Sequence, residues 1–135
     1  MSSFSRFYKR ENMISKTLNI DEELYYELEK LSNNTYDASI SKLVNASIEE
    51  LLNKKNIEIY KRDNINQVSR SFLIRESLLD GLYELKRKYT ISINLLVNIA
   101  IRNALIEENI ISETEKSKKK IVWLNHKSHT ISILM

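Results

Sequence analysis

Cysteine and proline occur nowhere in the 135 residues, and glycine occurs once, at Gly81. Without cysteine there is neither a disulfide nor a thiolate metal site, and the chain suits a reducing compartment, the cytoplasm by default. One glycine and no proline argue against a turn-rich β fold and against a glycine-lined phosphate loop. Long apolar runs are missing as well. The stretch 91–106 is interrupted by Asn94, Asn98, Arg102 and Asn103, so it reads as an amphipathic helix and not as a membrane span. Residues 1–13 are basic but have no apolar region of the kind a secretory signal needs. The two histidines, His126 and His129, have no acidic or thiol group beside them, so no metal site and no cofactor are expected. Serines and asparagines without a base form no nucleophilic centre, and the expectation is a protein that is not an enzyme.

What is present is enough apolar material, 42% of the residues, for one compact core, in a chain too short for two ordinary domains. The formal charge of +3 is modest, but its distribution is uneven. Arg6, Lys9 and Arg10 stand in an N-terminal arm, and Lys116, Lys118, Lys119, Lys120 and Lys127 in a C-terminal tail. Charge runs at chain ends are ordinarily just solvated, so this bias does not by itself name a partner. The neighbouring carboxylates Glu22 with Glu23, Glu49 with Glu50 and Glu107 with Glu108 fall on polar helix faces, where they keep the protein soluble.

Four segments carry apolar residues at helical spacing: Leu24, Leu28, Leu31; Ile40, Leu43, Val44, Ile48, Leu51; Leu78, Leu82, Leu85; and Ile93, Leu96, Val97, Ala100, Ile101, Leu105. Ahead of each shorter helix lies an alternating run, Lys16 to Ile20 and Arg70 to Ile74, with its clearest apolar residues two positions apart, as in a half-buried strand. Each unit therefore reads strand, helix, helix.

The two units are internal copies. A shift of 54 residues carries Lys16, Leu18, Ile20, Leu24, Leu28 and Leu31 onto Arg70, Phe72, Ile74, Leu78, Leu82 and Leu85. A shift of 53 carries Tyr36, Ser39, Ile40, Leu43, Val44, Asn45 and Ile48 onto Tyr89, Ser92, Ile93, Leu96, Val97, Asn98 and Ile101. One residue is lost in the loop between helices. Asp21 is expected to cap the first helix, Asn33 and Asn34 to end it in the left-handed conformation, and Ser39 and Ser92 to cap the second helices. Arg75 stands where Asp21 would recur, so the third helix is expected to start about two residues later, at Ser77.

This pattern resembles the ribbon-helix-helix family of the MetJ/Arc type. The resemblance implies a mainly α fold with a short two-stranded antiparallel β-ribbon, here a tandem pseudo-dimer in one chain, because a lone strand is unstable without a second copy. The expected division is a basic arm (1–13), unit 1 (14–53), a linker (54–67), unit 2 (68–109) and a basic tail (110–135) whose apolar runs fit a β-hairpin. Tandem arrangements resemble relaxosome accessory proteins of plasmid conjugation, and the wider family includes repressors, partition proteins and antitoxins.

The partner that the resemblance implies is double-stranded DNA, with the ribbon in the major groove. If Leu18, Ile20, Phe72 and Ile74 face the helices, strand parity turns Ser15, Thr17, Asn19, Ser69, Ser71 and Leu73 toward the bases. Phosphate contacts are expected at the starts of the second helices, Ser39, Ile40 and Ser41 and Ser92, Ile93 and Asn94, with Arg6, Lys9 and Arg10 adding salt-sensitive attraction. Further chains are expected to add side by side on DNA. A second class of reading is a protein-interaction module, such as a relaxosome, partition or antitoxin protein that engages a protein partner through its tail. No membrane partner is expected.

Overall fold

Strands β1 (Met13–Asp21) and β2 (Gln67–Arg75) pair antiparallel along their full lengths, from Met13 opposite Arg75 to Asp21 opposite Gln67. The computed structural model describes residues 12–36, 38–62 and 64–112. Each strand leads directly into a helix: β1 into α1 (Glu22–Lys30), followed by α2 (Ile40–Lys54), and β2 into α3 (Glu76–Tyr89), followed by α4 (Ile93–Glu107). The molecule is a tandem pair of β-α-α units sharing one ribbon. Among the described residues no single helix is long and apolar enough to cross a membrane.

The alternation of the strands sets which face is covered. Leu18, Ile20, Phe72 and Ile74 are no more than 4% exposed, and they meet Leu24, Leu28, Val44 and Ile48 of the first unit and Leu78, Leu82, Leu96 and Ile101 of the second in one core. Burying side chains of this size contributes roughly 1.5–3 kcal/mol each, and neither unit has a second apolar face of its own to supply it. Gly81 of α3 makes room for α2, since a Cβ there would lie 2.7 Å from a methyl carbon of Leu52.

Thr17 lies opposite Ser71 in the ladder, and those two residues are also equivalents in the internal repeat. A residue facing its own counterpart marks a pseudo-two-fold axis through the middle of the ribbon. The same symmetry holds at the ribbon's ends, where the Glu22 N–H donates to the Asn66 carbonyl (2.8 Å) and the Glu76 N–H to the Asn12 carbonyl (2.9 Å).

Those end contacts explain two departures from expectation. Asp21 and Arg75 both occupy the N-cap position, neither makes a side-chain cap, and α3 begins at Glu76, not at Ser77. The first helical N–H of each helix is bonded by the residue before the opposite strand, which fixes where each helix begins, and the Asp21 carboxylate, which would otherwise accept from the second or third N–H, is engaged by Tyr60, Arg62 and Gln67. The third departure concerns Asn33 and Asn34. The first helix does not stop on a left-handed asparagine; it runs on as a π-helical stretch, Leu31–Tyr36, and neither residue has a positive φ. A π turn holds one more residue than an α turn, which is the one residue by which the first unit exceeds the second. In the second unit α3 ends instead on Thr90, a left-handed residue with φ 59°.

The segment between the units is packed and not merely a connector. Ile57 and Tyr60 are buried, and the Asn103 amide donates to the Asn56 carbonyl at 2.9 Å.

Candidate nucleic-acid interface

Because the inward parity is used up by the core, the outward face of the ribbon consists of the remaining side chains. Ser15, Thr17, Asn19, Ser69, Ser71 and Leu73 are all exposed. The register sets Ser15 opposite Leu73, Thr17 opposite Ser71 and Asn19 opposite Ser69. At the centre the Thr17 and Ser71 hydroxyl oxygens are 2.8 Å apart, a hydrogen bond in which either group is able to donate. Leu73 is 51% exposed and lies on the outer face, not over the core. Six expected side chains thus share one surface.

A two-stranded ribbon has two open edges, and unpaired backbone groups there are costly unless something covers them. Asn98 of α4, fully buried, lies along the outer edge of β1: its amide donates to the Asn19 carbonyl (2.9 Å), and its Oδ1 accepts from the Asp21 N–H (2.7 Å). Asn45 of α2 does the same for β2, donating to the Leu73 carbonyl (2.8 Å) and accepting from the Arg75 N–H (2.9 Å). One helical turn earlier, Asn94 Oδ1 accepts from the Asn19 N–H (3.0 Å) and Ser41 Oγ from the Leu73 N–H (3.2 Å). Every one of these bonds joins a helix of one unit to the strand of the other.

This edge docking places the helix starts. Ser39 caps α2 by accepting from the Lys42 N–H (3.2 Å), and Ser92 caps α4 by accepting from the Leu95 N–H (3.1 Å). The first N–H groups of an α-helix have no acceptor within it, so those of Ile40 and Ser41, and of Ile93 and Asn94, stand at the two flanks of the ribbon. The helix dipole makes both ends favourable to an anion. Ile93 itself is buried, and only its backbone is suited to that role.

Lys16 and Arg70, at the opposite parity, lie under the ribbon's flanks. Lys16 donates to the Tyr83 hydroxyl (3.1 Å), and the Arg70 guanidinium sits 5.2 Å from the centre of the Tyr25 ring. Arg6, Lys9 and Arg10 lie outside the described residues, as do the tail lysines and His126 and His129. Among the described residues no group of three or more histidine, cysteine or acidic side chains is arranged to hold a metal.

The edge-binding asparagines were not anticipated as such. Their signal was present in the repeated Leu-Val-Asn triplet, which sets a polar residue on an otherwise apolar helix stripe in both units. A second unanticipated feature is the buried Asp21 carboxylate, which accepts from the Tyr60 hydroxyl, from Arg62 (2.5 Å) and from Gln67 (3.0 Å). Burial and the neighbouring Asp21 carboxylate push the Tyr60 hydroxyl well above the ordinary tyrosine range. Comparison with protein-family models, with curated proteins and with solved structures finds no match for this chain.

Proposed function

We propose that the outer face of the ribbon binds double-stranded DNA in the major groove and reads its sequence. The observation that carries this reading is the joint placement of one exposed ribbon face and two helix N-termini docked along its edges. A ribbon of two strands fits the width of the major groove. Helix starts on either side of it are placed to receive the phosphates that border that groove, which fixes orientation without reading bases.

On the ribbon, Asn19 is suited to the paired donor and acceptor of adenine, the serines and Thr17 to several base edges, and Leu73 to a thymine methyl group. The mutual hydrogen bond of Thr17 and Ser71 pre-orients both hydroxyls while leaving each a further acceptor site. Occupying a promoter in this way is how the protein would act as a transcriptional repressor or plasmid-type regulator.

The test is selection from random duplex DNA. Enrichment of a defined sequence by the intact chain, lost in the Thr17→Ala, Asn19→Ala double variant with unchanged thermal melting, is the expected result. No enrichment by the intact chain, or equal enrichment by the variant, would overturn the reading.

A further inference from the structure

An apolar groove of about 420 Å³ runs between the ends of α1 and α4 along α2 from Leu43 to Glu50. Its acidic end is remote from the reading face: Asn94 docks on the ribbon, and Glu107 lies 13 residues further along α4, about 20 Å at 1.5 Å per residue. Half-buried Leu31 and Leu43 and exposed Ala46 contribute to its floor. Glu50, Glu107 and Glu108 stand at its rim. Lys54 is shared between Glu50 (2.9 Å) and Glu107 (2.6 Å), so the three carboxylates keep a net negative charge. An apolar floor under an acidic rim calls for an occupant that is basic and apolar within a short length.

We propose that the occupant is the chain's own segment 116–124, with Ile121, Val122, Trp123 and Leu124 on the apolar floor and Lys116, Lys118, Lys119 and Lys120 against the carboxylates. That segment holds four lysines followed at once by four apolar residues. The described chain ends at Ser112, five residues past Glu107 on the groove's rim. The eight residues 113–120 span up to about 26 Å when extended, ample for the return. A tethered occupant also has the advantage over a second copy that its effective concentration is in the millimolar range. The docking uses none of the residues proposed to contact DNA, its nearest approach to them being Leu43 in the first turn of α2.

Trp123 is the only tryptophan, so its fluorescence reports on this segment alone. In the intact chain its emission is expected at shorter wavelength than that of a solvated indole, with several-fold weaker quenching by acrylamide, independent of protein concentration. Ala46→Arg adds bulk and like charge to an exposed position in the groove without touching the core, and should shift the emission to that of a solvated indole. The triple variant Lys118→Glu, Lys119→Glu, Lys120→Glu should do the same while circular dichroism stays unchanged. A solvated indole in the intact chain, shielding that grows with concentration, which would mean a second copy, or shielding that survives both variants would each overturn the proposal.

Discussion

Arg75 occupies in the second unit the position that Asp21 occupies in the first, and the two side chains bind opposite charges in opposite surroundings. Asp21 is buried against Tyr60, Arg62 and Gln67, whereas Arg75 reaches out to Glu49 at 3.0 Å. The pseudo-two-fold axis thus relates backbones more closely than it relates chemistry. One end of the ribbon is anchored through the connecting segment, which contributes Tyr60 and Arg62, and the other through an exposed ion pair of a kind that contributes little.

Alkaline unfolding tests that anchor. Tyr60 has a folded-state pKa raised by burial and by Asp21, so its contribution is fully present below the ordinary tyrosine value of about 10 and is lost as pH rises above it toward the folded value. Urea titrations at increasing pH should show stability falling from about pH 10 upward. Tyr60→Phe should flatten that fall and, at neutral pH, cost about 1–3 kcal/mol by leaving Asp21 a donor short. A variant as pH-sensitive as the parent would contradict the assignment.

Removing the edge asparagines should unfasten the ribbon. Asn98→Ala leaves the buried Asp21 N–H and the part-buried Asn19 carbonyl of β1 without protein partners, at about 1–3 kcal/mol for the buried group, and Asn45→Ala removes two part-buried bonds from β2 and should cost less. Asn98→Asp should also destabilise, since a carboxylate still accepts from the Asp21 N–H but has no hydrogen to give to Asn19. Denaturant midpoints for the three variants decide the matter, and unchanged midpoints would show that the edge bonds are dispensable.

Reading and folding should separate along the strand. Leu18→Ala, Ile20→Ala or Phe72→Ala empties space in the core and should cost on the order of 2–5 kcal/mol of stability. Thr17→Ala and Asn19→Ala, two exposed changes, should move stability by no more than about 0.5 kcal/mol. On DNA the order should invert, with about 1–3 kcal/mol of sequence discrimination lost for each good base contact removed. Melting curves and competition binding on the same set of variants make the comparison.

Thr90 is a β-branched residue held at φ 59°, a conformation that costs an L-residue about 1–2 kcal/mol and glycine almost nothing. Thr90→Gly should therefore stabilise the protein by up to about 1 kcal/mol, after the greater flexibility of glycine in the unfolded chain is counted. A lower melting temperature for that variant would mean that the threonine side chain makes a compensating contact.

The strands, the four helices and the parity of the ribbon were legible in the sequence because each depends on residues a few positions apart. Leu18 and Ile20, or Leu24 and Leu28, announce their faces by spacing alone, and the repeat then supplies the partner strand. What escaped is non-local. Asp21 looks like a helix cap to its neighbours, but the groups that claim it include Tyr60 and Arg62, 39 and 41 residues away on a stretch with no periodic signal. Arg75 looks unfit to start a helix until the Asn12 carbonyl, on the far side of the ladder, is seen to take the first N–H. The π turn was written as a mismatch between two repeat lengths, but spacing does not say whether an extra residue enters a helix or a loop.

Joining both strands of the ribbon in one polypeptide has a consequence for how such a surface changes over generations. In a dimer of identical chains every substitution appears twice, once on each side of the axis, and a change that suits one side is imposed on the other. Here Ser15 and Ser69 are written by different codons, as are Asn19 and Leu73, so each half of the ribbon is free to drift while its counterpart is held. The surface is therefore able to follow a target whose halves diverge, one position at a time, with the shared core left as it was.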